Sequence, residues 1–385
     1  VPIIKYRDPI TKEMVELPIK FDPADGSIDI TKFDPELQNI LTSQIIRSYT
    51  EPEGIQEGRL WLDMNTTDFQ GTAFNQLSSR ITDLESRKLV TVETLNVGPG
   101  GEFSTINEAL VYATTKYPTY VSGNVKAELV INLKSGFVMA EQVIVKGLNL
   151  GWIRITGEDA ETVIQRSAVT QLINSWYPCF FGSNSAILPS IEQPFILDAS
   201  GSATGKIGLM LRDGASANFY GGIKNVPAYG CFITRRSSAN IAGSDFSGAG
   251  TIGVYVLDSS TVEAAGAKIN NAGTLTTSYG LYAGSNSRVN FISGEAKDCT
   301  GTAILATYNA SVNAANAVAT GAGLQGMLSS ALSRINAYQA NARKGETNSV
   351  QDMVVSVGGT ISAHSATGGV SQTINTLTSA GIIFM

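Results

Sequence analysis

Ile207-Gly208-Leu209-Met210-Leu211-Arg212-Asp213-Gly214-Ala215-Ser216-Ala217-Asn218-Phe219 aligns, residue for residue, with Tyr229-Gly230-Cys231-Phe232-Ile233-Thr234-Arg235-Arg236-Ser237-Ser238-Ala239-Asn240-Ile241. The glycines at the heads of the two stretches are the first of a series of anchors, Gly208, Gly230, Gly253, Gly280, Ala303, Gly326 and Asp352, spaced by 22, 23, 27, 23, 23 and 26 residues. After each anchor comes an apolar-rich strand, such as Val254-Tyr255-Val256 or Ile304-Leu305-Ala306. Seven to eight residues past it the pattern predicts a turn of small or polar residues, as at Ser260-Thr261 and Ser287-Arg288. Nine past stand Ala217, Ala239, Val262, Val289, Val312, Ile335 and Ile361, and eleven past stand Phe219, Ile241, Ala264, Phe291, Ala314, Ala337 and Ala363. Alternation at nine and eleven is strand periodicity, which places both positions on an inner face. A self-similar period of this length means stacked coils, each bonded to its neighbours, so the fold class is all-β, a parallel β-helix or β-solenoid. Leucine-rich repeats lack their leucine pattern here, and propeller blades would need longer and more aromatic units.

The residue between the two inner positions must face outwards. It is Asn218, Asn240, Glu263, Asn290, Asn313, Asn336 or Ser362 in successive coils. Coils about 4.8 Å apart would bring these side chains into register, as an amide ladder, as a polar seam between subunits, or as a column of solvated surface asparagines.

Upstream, charges flank the turn signal Asp8-Pro9 and predict a short hairpin. A helix is expected over Asp34 to Ser48, with Leu37, Ile40, Leu41 and Ile45 on one face, and a single strand over Gly58 to Asp63. Phe74, Leu77, Ile81 and Leu84 follow the a/d spacing of a coiled coil. So short a seam is either an amphipathic helix packed on the N-terminal module or a neck that aligns three chains. From Thr94 the chain turns to strands, Leu95 to Val97, Glu128 to Leu133, Gln142 to Val145, Trp152 to Thr156 and Thr162 to Gln165. One helix interrupts them, capped either by Ser104 with Asn107 or by Thr105 with Glu108. The resulting division is 1–70 for an anchoring module, 71–90 for a short neck, 91–200 for the opening of the β-helix with its capping helix, and 201–385 for repeated coils and tip.

With a net charge of -6 and no clusters of Lys and Arg, nucleic acid is not an expected partner. No run of apolar residues is long enough for a membrane span, and the N-terminus lacks an apolar signal core. Cys179, Cys231 and Cys299 are far apart and read as buried thiols of a reducing compartment.

Leu95-Asn96-Val97-Gly98-Pro99-Gly100-Gly101-Glu102-Phe103-Ser104-Thr105-Ile106-Asn107-Glu108-Ala109-Leu110 resembles the opening of pectin-lyase-like right-handed β-helices, among them phage tailspikes and pectin methylesterases. Leu133 to Val143, Ile155-Thr156-Gly157 and Thr162-Val163-Ile164 continue the likeness, which covers roughly Thr94 to Met385 at the level of fold. The order of anchor, neck and shaft, and the ending Asn375 to Phe384, resemble a bacteriophage tail fibre. That resemblance implies a homotrimeric virion component, made in the host cytoplasm, docked on tail or baseplate proteins through residues 1–70 and contacting a glycan or protein receptor on the host surface. It implies no cofactor and no metal. A bacterial adhesin with a β-helical stalk is a weaker reading, disfavoured by the missing export signal.

Fold motifs of this kind specify function poorly, so activity must be sought in particular residues. The Gln-Ala-Val, Asp-Phe-Ile-Phe-Gly and Gly-Arg-Pro-Trp motifs of pectin methylesterases do not occur, nor does the clustered Asp of a calcium-dependent lyase. A glycosidase-type depolymerase of surface polysaccharide, the alternative function, would need two carboxylates within roughly 5 to 9.5 Å. Asp213 and Asp258 share the position five past their anchors, with Arg235 between them, and are its only candidates. Asp245, Lys268 and Glu295, fifteen past theirs, alternate in sign in the same way. Such alternation is also what a ladder of surface ion pairs requires. The single histidine, His364, has no evident nucleophile and reads as a surface residue near the tip.

Overall fold

The computed structural model describes residues 4–7, 14–17, 45–48, 60–63, 79–83, 88–89, 92–118, 128–343, 352–369 and 381–384. The chain divides into two compact units, Val1–Lys88 and Leu89–Met385.

In the first unit Ile4–Arg7 pairs antiparallel with Met14–Leu17, the hairpin around Asp8-Pro9. Ile4–Arg7 also pairs antiparallel with Leu60–Asp63, which in turn lies parallel to Ile45–Ser48. The last pairing corrects the helix expected to run to Ser48. Ile45 and Ile46 are β-branched and lose little by extending, and a partner strand outweighs weak helical periodicity. The rest of that expected helix lies outside the described residues.

In the second unit every coil contributes to three walls. The first wall is a nine-stranded parallel sheet of Val143–Lys146, Tyr177–Ser183, Lys206–Leu211, Tyr229–Ile233, Ile252–Val256, Tyr279–Ala283, Thr302–Ala306, Met327–Ser329 and Met353–Val355. The second begins as Glu93–Val97, Leu129–Leu133, Ile153–Gly157 and Ser190–Ile191 and continues, through bridges at Ile187 and Ile191, into an eight-stranded sheet from Ser216–Asn218 to Gly381–Phe384. The third starts with Val138–Met139, Thr162–Ile164, Phe195–Leu197 and Ile223–Lys224 and goes on as single bridges through Asp245, Lys268, Glu295 and Val318.

The register agrees with the repeat. Leu209, Cys231, Val254, Leu281, Ile304, Met327 and Met353 pair in succession, so the anchors that precede them fall in line. The residues nine past also pair in succession, from Ala217 to Ile361, and those eleven past are buried in every coil. Glycine recurs at the anchor because the wall leaves no room there. A Cβ on Gly208 would sit 2.4 Å from the Gly230 carbonyl oxygen, one on Gly230 2.6 Å from that of Gly253, and one on Gly280 2.6 Å from that of Ala303.

The turn lies earlier than the sequence reading places it. Residues five and six past the anchor all have positive φ, from Asp213 (55°) and Gly214 (78°) through Tyr308 (52°) and Asn309 (63°) to Val357 (49°) and Gly358 (75°). The second of each pair donates its backbone N–H to the carbonyl of the first in the next coil, as from Arg236 to Asp258 (2.9 Å) and from Asn286 to Tyr308 (3.0 Å). The corner is therefore a stacked, bonded ladder, and this bonding offsets the steric cost of left-handed residues that are mostly not glycine. The small residues seven past, including Ala215, Ser237, Ser260, Ser287, Ala310 and Ser333, are buried inside the corner and do not form the turn.

The open end of the stack is covered by helix α1, Ile106–Ala113, which buries Ile106, Ala109, Leu110 and Ala113. Thr105 and Glu108 form its capping box. Two further amides at its start, those of Ile106 and Asn107, donate to the Glu141 carboxylate at 2.5 and 3.0 Å. Burial pushes the Glu141 carboxyl above its ordinary range, against those bonds.

Candidate surface sites on the coil stack

The corner carries the two candidate catalytic carboxylates. An open depression of about 830 Å³ runs along it, bordered by Ser185, Asp213, Arg235, Arg236, Asp258 and Asn286. Asp213 accepts from Arg212 Nε at 2.7 Å and from Arg235, one coil on, at 3.3 Å. Asp258 accepts from Thr234 Oγ1 at 2.6 Å. Each carboxylate thus engages the neighbouring coil, and both occupy left-handed backbone that Asp adopts more readily than most residues. The geometry is that of a cross-coil tie, with roughly 9 to 10 Å between positions two coils apart.

The outward column on the second wall is a one-way amide ladder over part of its length. Asn336 Nδ2 donates to Asn313 Oδ1 (2.9 Å), Asn313 Nδ2 to Asn290 Oδ1 (3.0 Å), and Asn290 Nδ2 to both oxygens of Glu263 (2.8 Å each). Asn240 instead donates to Tyr220 Oη at 3.2 Å, and Asn218 is exposed. Asn313→Asp is expected to lower stability by roughly 1–2 kcal/mol at neutral pH, because the new carboxylate faces the Asn290 oxygen without a proton to donate. Protonation restores a donor, so the folded-state pKa of the new group is raised. The deficit relative to wild type, measured by thermal unfolding at pH 7 and pH 3.5, should shrink at the lower pH.

On the third wall Asp245 bridges Lys268, which bridges Glu295, so the charges of alternating sign are neighbours in space. The Lys297 ammonium beside Glu295, at 2.9 Å, holds that carboxyl below its ordinary value. Among the described residues no group of three or more His, Cys, Asp or Glu is placed to hold a metal ion. All three cysteines are buried free thiols. Burial pushes Cys179 up to about 12, Cys299 up to about 11 and Cys231 higher still, which leaves them protonated and unreactive. His364 is exposed and its ring stacks on Tyr338 at 5.8 Å. Of the neck residues, Ile81 lies in helical backbone at 79–83 and is partly exposed, while Phe74, Leu77 and Leu84 lie outside the described residues.

A surface that the sequence reading did not separate is the outer face of the first wall. Two residues past each anchor the side chain points away from the core, giving the paired column Ile144, Phe181, Met210, Phe232, Tyr255, Tyr282, Leu305, Leu328 and Val354. Phe181, Met210, Ile207 and Ile173 form an apolar cluster distinct from the core, joined by Ile144, Trp176, Tyr229 and Phe232. The rings continue it, with Phe232 stacked on Tyr255 at 5.0 Å and Tyr255 edge-on to Tyr282 at 4.8 Å. Burial, aided by neighbouring tyrosines, pushes the Tyr255 hydroxyl up to about 12. The signal was present as unbroken apolar runs after the anchors, the signature of strands covered on both faces.

No family model matches the chain, and no curated protein matches it. Among solved structures the chain is similar to "Geobacillus virus E2 - ORF18", with 13% sequence identity, a TM-score of 0.40, and coverage of 82% of this chain and 63% of that one. The chain thus spans less than two thirds of the length of that phage protein.

Proposed function

We propose that the chain is a structural component of a bacteriophage virion, a trimeric tail fibre or spike. In this reading residues 1–70 dock on the tail or baseplate and the coil stack carries a contact surface to a glycan or protein of the host cell. The observation that supports it most is the uninterrupted first wall, nine parallel strands in register with no break for a cavity. A stack in which each coil is bonded to the next is a stiff spacer, and such solenoids meet other molecules with their outer surfaces. The candidate acid pair adds support from the other side, since Asp213 and Asp258 are engaged in ties to Arg235 and Thr234.

The full-length protein, incubated with surface polysaccharides extracted from a panel of bacteria, is expected to retain a polysaccharide or adhere to cells without releasing oligosaccharides. Release that disappears in Asp213→Asn and Asp258→Asn would replace this reading with a polysaccharide depolymerase. Light scattering is expected to give three times the mass of the chain, and a stable monomer would overturn the assembly.

A further inference from the structure

The three walls differ outside although they are alike inside. The second wall presents Ser, Thr, Arg, Asn and Glu outwards, and the third presents charges of alternating sign. The first wall carries the apolar column from Ile144 to Val354 and, one residue before each anchor, a second column of Ile207, Tyr229, Ile252, Tyr279, Thr302 and Gln325; Phe181, Met210, Leu305, Ile207, Ile252 and Thr302 are buried and the others partly exposed. Neither column holds a charged residue. The partly exposed members, from Phe232 through Tyr255 and Tyr282 to Leu328 and Val354, form an apolar stripe, and such a stripe marks an interaction surface. The chain covers one part of it itself, where Ile173 and Trp176 lie over Phe181 and Ile207.

We infer that this face is where copies of the chain pack side by side, parallel and in register. The argument is one of period. The stripe advances by one residue per coil, about 4.8 Å, for roughly 24 Å from Phe232 to Val354. A partner that meets every member must carry apolar groups at the same axial repeat, and another copy of this stack does so. In a parallel, in-register assembly each level meets its own equivalent, so aromatic levels such as Tyr255 and Tyr282 face aromatic levels, and Leu328 faces Leu328. Tyrosines suit such a seam because the ring packs while the hydroxyl reaches a partner or water at the margin. The inference rests on the trimeric reading above and deepens it, by assigning the contact to the first wall as opposed to the neck.

The test uses the full chain. Tyr255→Glu combined with Tyr282→Glu is expected to reduce the multimer to monomer in light scattering, with the far-UV circular dichroism unchanged. Ser311→Glu, on the outside of the second wall, leaves the mass unaltered. In the otherwise wild-type multimer, Tyr282→Cys treated with a short bis-maleimide gives chains linked to one another, and Ser311→Cys does not, the native thiols being buried. A multimer that survives the double tyrosine change, fails to cross-link through position 282 and falls apart with Ile81→Glu would overturn this inference while leaving the trimer intact as a reading. A wild-type monomer would overturn both.

Discussion

Gly230→Val should break the stack in its middle, with a loss of roughly 3 kcal/mol or more. The new Cβ would lie 2.6 Å from the Gly253 carbonyl oxygen and 2.9 Å from Phe246 Cβ. The first obstacle is backbone and the second belongs to a fully buried side chain, so neither yields by changing a rotamer. Relief requires two coils to move apart, which lengthens the bonds of the first wall on both sides. The midpoint of guanidinium unfolding, followed by far-UV circular dichroism, is expected to fall sharply, and an unchanged midpoint would refute this account of the anchors. Ala303→Gly is the informative partner. Alanine already occupies that anchor with its Cβ in the core, so removing it should cost only about 1 kcal/mol, the ordinary price of a glycine in regular structure.

The second large effect is expected at Phe219. Its ring sits 5.3 Å from Phe180 and 6.0 Å from Phe246, and Phe180 in turn is 5.2 Å from Phe195. All four are fully buried and come from three consecutive coils, Phe180 and Phe195 sharing one. Phe219→Ala removes the middle of this row and leaves a cavity that flanking walls, fixed by their own hydrogen bonds, cannot collapse into. A loss of roughly 3–5 kcal/mol follows. Phe219→Leu, which keeps most of the volume, should recover more than half of it in the same denaturation assay.

The anchors were legible in the sequence for the same reason that Gly230 is intolerant. A steric demand imposed by the next coil recurs along the stack, and glycine meets it at five of the seven anchors. The inner positions nine and eleven past were equally plain because strand alternation is local. The corner was misplaced by two residues because no single residue type marks it. Asp-Gly, Arg-Arg, Tyr-Asn and Val-Gly all occupy it, and the bond that fixes it runs to another coil. Coils upstream of Gly201 were recognised as strands but not aligned, since the stretch containing Ile173 and Trp176 interrupts their spacing. Ile45–Ser48 was misread because its partner, Leu60–Asp63, is distant in sequence and its own four residues carry no period. For the candidate site, the positions of Asp213, Arg235 and Asp258 could be read from the repeat, but the competing claims of Arg212 and Thr234 on those carboxylates could not.

The left-handed corner has a consequence for how such a molecule changes over generations. Its shape is enforced by carbonyl-to-amide bonds between coils, so side-chain ties such as Asp213 to Arg235 and Asp258 to Thr234 add to the backbone path without being what sets it. From one end to the other it already displays acidic, basic, hydroxylic, aromatic and aliphatic groups on one unvarying backbone path. Mutation there rewrites the chemistry offered to the surroundings while leaving walls, register and interior as they were. Under selection to recognise a new surface, the corner is where variants accumulate at the least cost to the fold.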